Sequence, residues 1–302
     1  MTLHKYQNYF FALPIAASVI ALVAIGLWGL KPGIDLIGGS LLQVSYPDGR
    51  PQIELVHTKV ATLGLGEVRV QPSNAHDYIL RQRELNQDEK ATLLTSLSTL
   101  GKVQEVQFNS VGPSIGTELI KKAWWAIALV SFSIIAFIAF AFRGVTKPVA
   151  SWKYGVVAII TLIHDILVPT GLFAYLGHSR GAEVGVLFIV GILTILGISI
   201  NDTIVVFDRV RENLRLNLER NRHEIYKEVV WKSIVQTMAR SINTSLTVVI
   251  MLGALFYYGP VATKDFALTL IVGMIAGTYS SIFLAAPLLV LIEQKQKITG
   301  KK

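Results

Sequence analysis

Six runs of apolar residues divide the chain, at 10–30, 124–142, 154–176, 184–207, 242–258 and 266–292. Each is long enough to cross a bilayer as a helix, which takes about 17 to 25 residues. The pattern predicts six transmembrane helices. Only His4 and Lys5 carry basic character ahead of the first run, and its 21 residues exceed the apolar core of a secretory signal. Gly26 and Gly29 imitate a cleavage site, but the large Leu27 and Trp28 lie between them, so an uncleaved first helix is expected. Pro14 is expected within about the first turn of that helix, where a missing N–H matters least.

Between the first and second runs the pattern changes. Residues 31–122 read as a soluble domain, opened by 33–39, Gly-Ile-Asp-Leu-Ile-Gly-Gly, a tight turn leaving the membrane. A strand at 41–46 and a Pro-Asp-Gly turn follow, then a helix with Ile53, Val56, Val60 and Leu63 at three- and four-residue spacing. Strands are predicted near 68–71, 78–83 and 103–108. A helix between the last two opens with Asn86-x-x-Glu89, a capping box, and carries Leu93, Leu94, Leu97 and Leu100 before Gly101. The order β-α-β-β-α-β is that of a ferredoxin-like split βαβ unit of about 90 residues. The expected fold is therefore a polytopic α-helical membrane protein with a ferredoxin-like α+β domain between its first and second crossings.

Composition agrees with the class. At 302 residues, 52% hydrophobic and 16% charged, with a mean hydropathy of +0.52, the chain is too apolar for an ordinary soluble domain. The net charge of +8 is explained by membrane topology, because no basic patch alternates with aromatics as a nucleic-acid surface would. Sixteen basic residues fall in the short segments on one side of the six crossings: Lys5; Arg143, Lys147 and Lys153; eight between Arg209 and Arg240; and Lys295, Lys297, Lys301 and Lys302. Only Arg180 and Lys264 fall in the two short loops opposite. By the positive-inside rule both termini are expected to be cytoplasmic and 31–122 extracytoplasmic. The organisation expected is 1–30 for the N-terminus and first helix, 31–122 for the outer domain, 123–292 for the remaining helices, and 293–302 for a basic cytoplasmic tail. With no cysteine, disulfides and thiol chemistry are excluded. His57 and His76 stand apart from each other and from any metal-ligand spacing, so no metal site is expected.

Candidate chemistry lies where polar residues interrupt apolar runs. An ionised Asp costs about 2.5 to 3.5 kcal/mol at a helix centre on insertion scales, so a carboxylate there faces a bundle interior. Asn201, Asp202 and Thr203 end the fourth run, and His164 and Asp165 lie inside the third. The fifth opens with Arg240, Asn243, Thr244 and Thr247, which share a face by three- and four-residue spacing. Asp202, six residues from Asp208, lies about 9 Å deep by helix rise, comparable with 243–247. An acid and a polar stripe at one depth can meet. Arg240 beside an ionised Asp202 would favour its charged form and apolar burial its neutral one, so alternating between them would load and unload a proton. Two readings stay open: Asp202 is a proton carrier, or Asn201, Asp202 and Thr203 are interhelical glue. Arg240 likewise pairs with Asp202 or is a snorkelling anchor. His164–Asp165 is part of a relay, or Asp165 braces the helix near Pro169; it ranks below Asp202 as a carrier. Gly273-x-x-x-Gly277 reads as close helix packing. Residues 208–240 read as a charged, amphipathic cytoplasmic segment, with a second helix starting at Asn221-x-x-Glu224 and lying on the membrane surface through Ile225, Val229, Trp231 and Ile234. No Walker loop occurs, so ATP is not the expected energy source.

These stretches carry a resemblance. The blocks 33–39, 111–116 (Val-Gly-Pro-Ser-Ile-Gly), His164–Asp165, 197–213 and 240–247 together resemble the SecF family of protein-export membrane subunits, within the resistance-nodulation-division superfamily. The block Asn-Asp-Thr-Ile-Val-Val-Phe-Asp-Arg-x-Arg-Glu-Asn at 201–213 is the most specific; the opening Gly-Ile-Asp block is shared with SecD, and Leu36 departs from the aromatic common there. The resemblance implies a complex with SecD, often with YajC, that uses the proton gradient to help secreted preproteins through the SecYEG channel of the bacterial cytoplasmic (inner) membrane. It carries the family's membrane carboxylate onto Asp202 and its arginine onto Arg240, with Asp165 at a further family position. With no SecD-like half ahead of Met1, a separate partner chain is expected. No cofactor and no covalent catalysis are expected. Two rivals remain: half of a proton-driven efflux pump, which would want a larger outer domain with a cleft, and a passive assembly scaffold.

Overall fold

The computed structural model describes residues 7–73, 75–141, 149–222 and 224–299. Lys5, Arg143, Lys147, Lys301 and Lys302, which the charge argument uses, lie outside them. The chain divides into two compact units, Pro32–Trp124 with Val184–Val186, and the remainder.

In the first unit, the Gly33–Gly39 block holds a one-turn helix α2 (Ile34–Ile37) and runs straight into strand β1 (Gly39–Ser45). Then come α3 (Ile53–Ala61), β2 (Arg69–Pro72), β3 (Asp77–Gln82), α4 (Gln87–Ser98) and β4 (Gln104–Val111). The sheet order is β2-β3-β1-β4 with every pair antiparallel, the split βαβ arrangement read from the element order. Register puts Leu42 opposite Leu80 and Val44 opposite Tyr78. Alternation turns these side chains to one face, where Val56 and Val60 of α3 and Leu93 and Leu97 of α4 close over them, all fully buried or nearly so. Asn86 caps α4 as a complete box: its side chain accepts from the Glu89 amide at 2.8 Å while Glu89 accepts from the Asn86 amide at 3.0 Å. Arg83 holds Glu89 from the side, which together with that amide keeps the Glu89 carboxyl below the usual carboxylate range.

The second unit is helical. Helices α1 (Gln7–Trp28), α5 (Pro113–Ala141), α6 (Ser151–Arg180), α7 (Val186–Glu219) and α8 (Tyr226–Tyr258), and the pair α9 (Val261–Ser280) and α10 (Ala286–Thr299), supply six segments long and apolar enough to cross a membrane. A single π turn, Ser281–Ala285, joins α9 to α10. Pro113 is the first residue of α5, where its missing N–H has no intrahelical use, so the Gly-Pro stretch at 111–116 starts a helix. Pro14 differs from expectation: α1 already begins at Gln7, which puts the proline inside the helix. A membrane helix tolerates this where neighbouring helices absorb the broken ladder.

The charged stretch 208–240 also differs. It is not a separate surface helix. α7 continues to Glu219 and α8 starts at Tyr226, with Ile225 at its cap position and Asn221 in the tight turn between them at φ 48. Asn213 donates to Ser233 and Gln236, both at 2.8 Å, and Arg209 donates to Gln236 at 2.6 Å, binding the two helix ends together. Val229, Trp231 and Ile234, expected to face lipid, are buried, Trp231 and Ile234 in one cluster with Phe207 and Val210. The apolar periodicity there was real, but it faces a neighbouring helix, and of the four residues only Ile225 is exposed.

Candidate functional site

Beside a large apolar cluster, the bundle interior holds a group of small and polar side chains. α7 turns Ile195, Ser199, Asp202, Thr203 and Val206 inward, a face set by three- and four-residue steps. Opposite it, α9 presents Gly273 and Gly277. A Cβ on Gly277 would stand 3.0 Å from the Ser199 Cβ, and one on Gly273 would collide with Ile195. The two glycines therefore let α9 lie directly on α7, as the Gly-x-x-x-Gly spacing suggested. Between these helices lies a narrow cleft, too tight for a water molecule, lined by Ile195, Ile198, Ser199, Asp202, Gly273, Met274, Gly277 and Thr278.

Two carboxylates meet this α7 face. Asp165, on α6, is fully buried; it lies 2.8 Å from the Nδ1 of His164 and accepts a hydrogen bond from the Ser199 hydroxyl. The His164 Nε2 is buried and has no protein partner among the described residues. Asp202, 6% exposed, lies one turn from Ser199 and receives the Ser245 hydroxyl of α8 at 3.5 Å, the outer limit of a hydrogen bond. Ser245 in turn lies 2.5 Å from the hydroxyl of Thr278, which donates to the Met274 carbonyl at 2.8 Å.

Proton counting gives this chain two states. Each hydroxyl has one proton to donate. If Thr278 donates to Met274, the short contact is filled by the Ser245 proton, and Ser245 can then only accept from Asp202, which must be the neutral acid. If Asp202 is ionised, Ser245 turns its proton to the carboxylate and Thr278 donates to Ser245. The same atoms thus satisfy a protonated and an unprotonated Asp202 by rotating two hydroxyls.

Of the nine residues singled out from sequence, the fold buries four: Asp202, Thr203, His164 and Asp165. Asn201, Arg240, Asn243, Thr244 and Thr247 are exposed on the outer faces of α7 and α8. No ion pair joins Arg240 to Asp202 among the described residues. The stripe that α8 does turn inward is Ser233, Thr237, Ser241 and Ser245, every fourth residue, which the sequence reading missed along with Ser199 and Thr278. Its signal was present: four small hydroxyls in strict four-residue steps. The face chosen instead is interleaved with Ile242, Leu246 and Ile250, which are exposed. No cluster of His, Asp or Glu with metal-binding geometry occurs among the described residues.

The chain is similar to known proteins along its length. The family model described as protein export membrane protein SecD/SecF, C-terminal, matches residues 90–295. The protein translocase subunit SecF of Thermobaculum terrenum is 39% identical, covering 96% of this chain and 93% of its own. That of Anaerolinea thermophila is 36% identical over 94% and 91%. A crystal structure of SecDF, a translocon-associated membrane protein from Thermus thermophilus, superimposes with a TM-score of 0.83 at 29% identity, covering 98% of this chain but 39% of that one. A SecDF structure in a super-membrane-facing form gives 0.69 at 30% identity, with the same coverage. The chain therefore spans about two fifths of the solved SecDF chains. It is a multi-pass membrane protein and belongs to the SecF branch of the SecD/SecF protein-export membrane family.

Proposed function

We propose that this chain works with a SecD partner as a proton-driven accessory of protein export, and that Asp202 is the group that takes up and releases the proton. The observation that carries the reading is the Asp202–Ser245–Thr278 chain, whose hydroxyls serve either protonation state without a new partner. In this account Asp165, held by His164 and Ser199, fixes the α7 face on which Asp202 sits, and Arg240 is the cation that works with Asp202 in the proton cycle. Moving one charge through 100 mV is worth about 2.3 kcal/mol, similar to the cost of an ionised Asp in the membrane, so the gradient is large enough to shift a two-state helix pair.

The proposed setting is the bacterial inner membrane with both termini cytoplasmic and Pro32–Trp124 outside, in association with the SecYEG channel, YajC and secreted preproteins; no cofactor or covalent catalysis takes part. The polar residues on the outer face of α8, Arg240, Asn243, Thr244 and Thr247, suit contact with a polar partner helix better than lipid. The experiment is export of a secreted reporter in cells lacking the native gene, comparing wild type with Asp202→Asn while confirming that SecD co-purifies. Lost export with an intact complex supports the reading; unchanged export reduces Asp202 to helix glue.

A further inference from the structure

The Gly33–Gly39 block does more than turn the chain. Its short helix α2 is a junction on which two long helices begin. A Cβ on Gly38 would meet the Pro113 backbone at 2.7 Å, and one on Gly116 would meet the Leu36 carbonyl at 2.6 Å, so the first turn of α5 lies against one side of it. On another side lies the start of α7. Gly33 donates its amide to the Val184 carbonyl at 2.9 Å, Pro32 and Val184 pair as a parallel bridge, and Asp35 Oδ2 accepts from the Val186 amide at 3.1 Å.

The contact of Asp35 answers a need of α7. A helix starts with amides that have no intrahelical acceptor, and a side-chain oxygen or an anion there is favourable. α7 has no acidic residue in its first turn, and Gly185, just ahead of Val186, has no side chain with which to cap it. The absent side chain is also what admits the distant cap, because a Cβ on Gly185 would stand 2.6 Å from Asp35 Oδ2. The cap comes from 151 residues upstream.

We infer that Asp35 is the N-terminal cap of α7 and a positioning residue for Asp202, holding the outer end of the helix on which Asp202 lies about 24 Å further along. The role of Asp202 is the one proposed above; the capping itself stands without it. With Asp35 in place the first turn of α7 is fixed to the turn that opens β1. Without it, that turn frays, and only the backbone pairing of Pro32 and Gly33 with Val184 is left to hold the segment ahead of it.

The test uses the full chain in lipid nanodiscs and hydrogen–deuterium exchange of peptides spanning 184–190. Asp35→Ala should raise exchange there by about tenfold, the consequence of losing one local stabilising contact, while peptides from β1 and α4 keep their protection. Gly185→Ala, which displaces the carboxylate without removing it, should do the same, and the double variant should add nothing. Asp35→Asn retains an acceptor and should lie between. In cells, both single variants should lower export of the reporter with the SecD complex retained. Unchanged exchange at 184–190 in Asp35→Ala, or additive effects in the double variant, would overturn the cap whatever Asp202→Asn does. Faster exchange with undiminished export would overturn the positioning role. Because the exchange readout needs no export, a failure of the Asp202 reading shows separately, as export that is insensitive to Asp202→Asn.

Discussion

The outer domain and the helical bundle both bury apolar residues, but the bundle buries many polar side chains beside them and leaves large apolar ones outside. In the first, Leu42, Val44, Leu80, Val56, Leu93 and Leu97 fill the interior, and the buried Asp77, which accepts from Gln43, is an exception among charged side chains that mostly remain outside. In the second, Thr161, Asp165, Ser199, Asp202, Thr203, Ser233 and Ser241 are buried, and Leu13, Ile20, Leu27, Phe132 and Ile250 are exposed. The reason is the solvent. Water drives apolar groups inward, whereas lipid tails are as apolar as leucine and leave packing and hydrogen bonding to select the interior. Periodicity of apolar residues therefore marks the core of the outer domain, whereas in the bundle apolar residues stand both inside and outside and do not by themselves tell the two faces apart.

The comparison can be broken by substitution, and the largest effect is expected in the outer domain. Leu97→Ala empties a fully buried site between α4 and the sheet and should cost about 2 to 5 kcal/mol, seen as lost exchange protection across β1 and β3. A loss confined to α4 would mean the sheet does not depend on this core. In the bundle the corresponding lesion is the reverse, adding volume. Gly277→Ile pushes against Ser199 and should cost about 1 to 3 kcal/mol, read as a lower midpoint of detergent-solubilised unfolding. A neutral result would mean that α7 and α9 separate easily.

The smallest effect concerns pH. Burial, with the neighbouring Tyr78, pushes the Tyr46 phenol up to about 12. The unfolded phenol titrates near 10. Its folded value is raised, so its contribution is complete below about pH 10 and is lost as pH rises toward 12. Tyr46→Phe should flatten that alkaline loss of outer-domain protection, at the expense of one long hydrogen bond of 3.4 Å to the Leu97 carbonyl.

The same contrast explains what could be read from the chain beforehand. Strand alternation, the Asn86 box and the Val56/Val60 spacing predicted the outer domain because each is a response to water. Hydropathy likewise predicted six crossings, and carboxylates in apolar runs marked Asp165 and Asp202. The inward face of α8 was not legible in the same way. Arg240 and Thr244 precede Ser241 and Ser245 by one residue each, a rotation of about 100°, and polarity alone favours the wrong pair. Strict four-residue spacing of small hydroxyls is the better guide, since small residues allow helices to approach. The end of α7 was missed for a related reason: a charged amphipathic stretch packs equally well on a membrane or on another helix, and here Asn213 and Gln236 select the helix. The tie between Asp35 and Val186 crosses 151 residues and has no local signature.

The central claim is that the polar interior of the bundle carries a proton on Asp202. It is tested most directly by export of a secreted reporter with Asp202→Asn, in parallel with Ser245→Ala, under conditions where the SecD complex is shown to persist. The account predicts that Asp202→Asn abolishes the stimulation of export by the proton gradient and that Ser245→Ala weakens it by roughly tenfold, the scale of one lost hydrogen bond to a charged group. Gradient-stimulated export at the wild-type level in Asp202→Asn would contradict it.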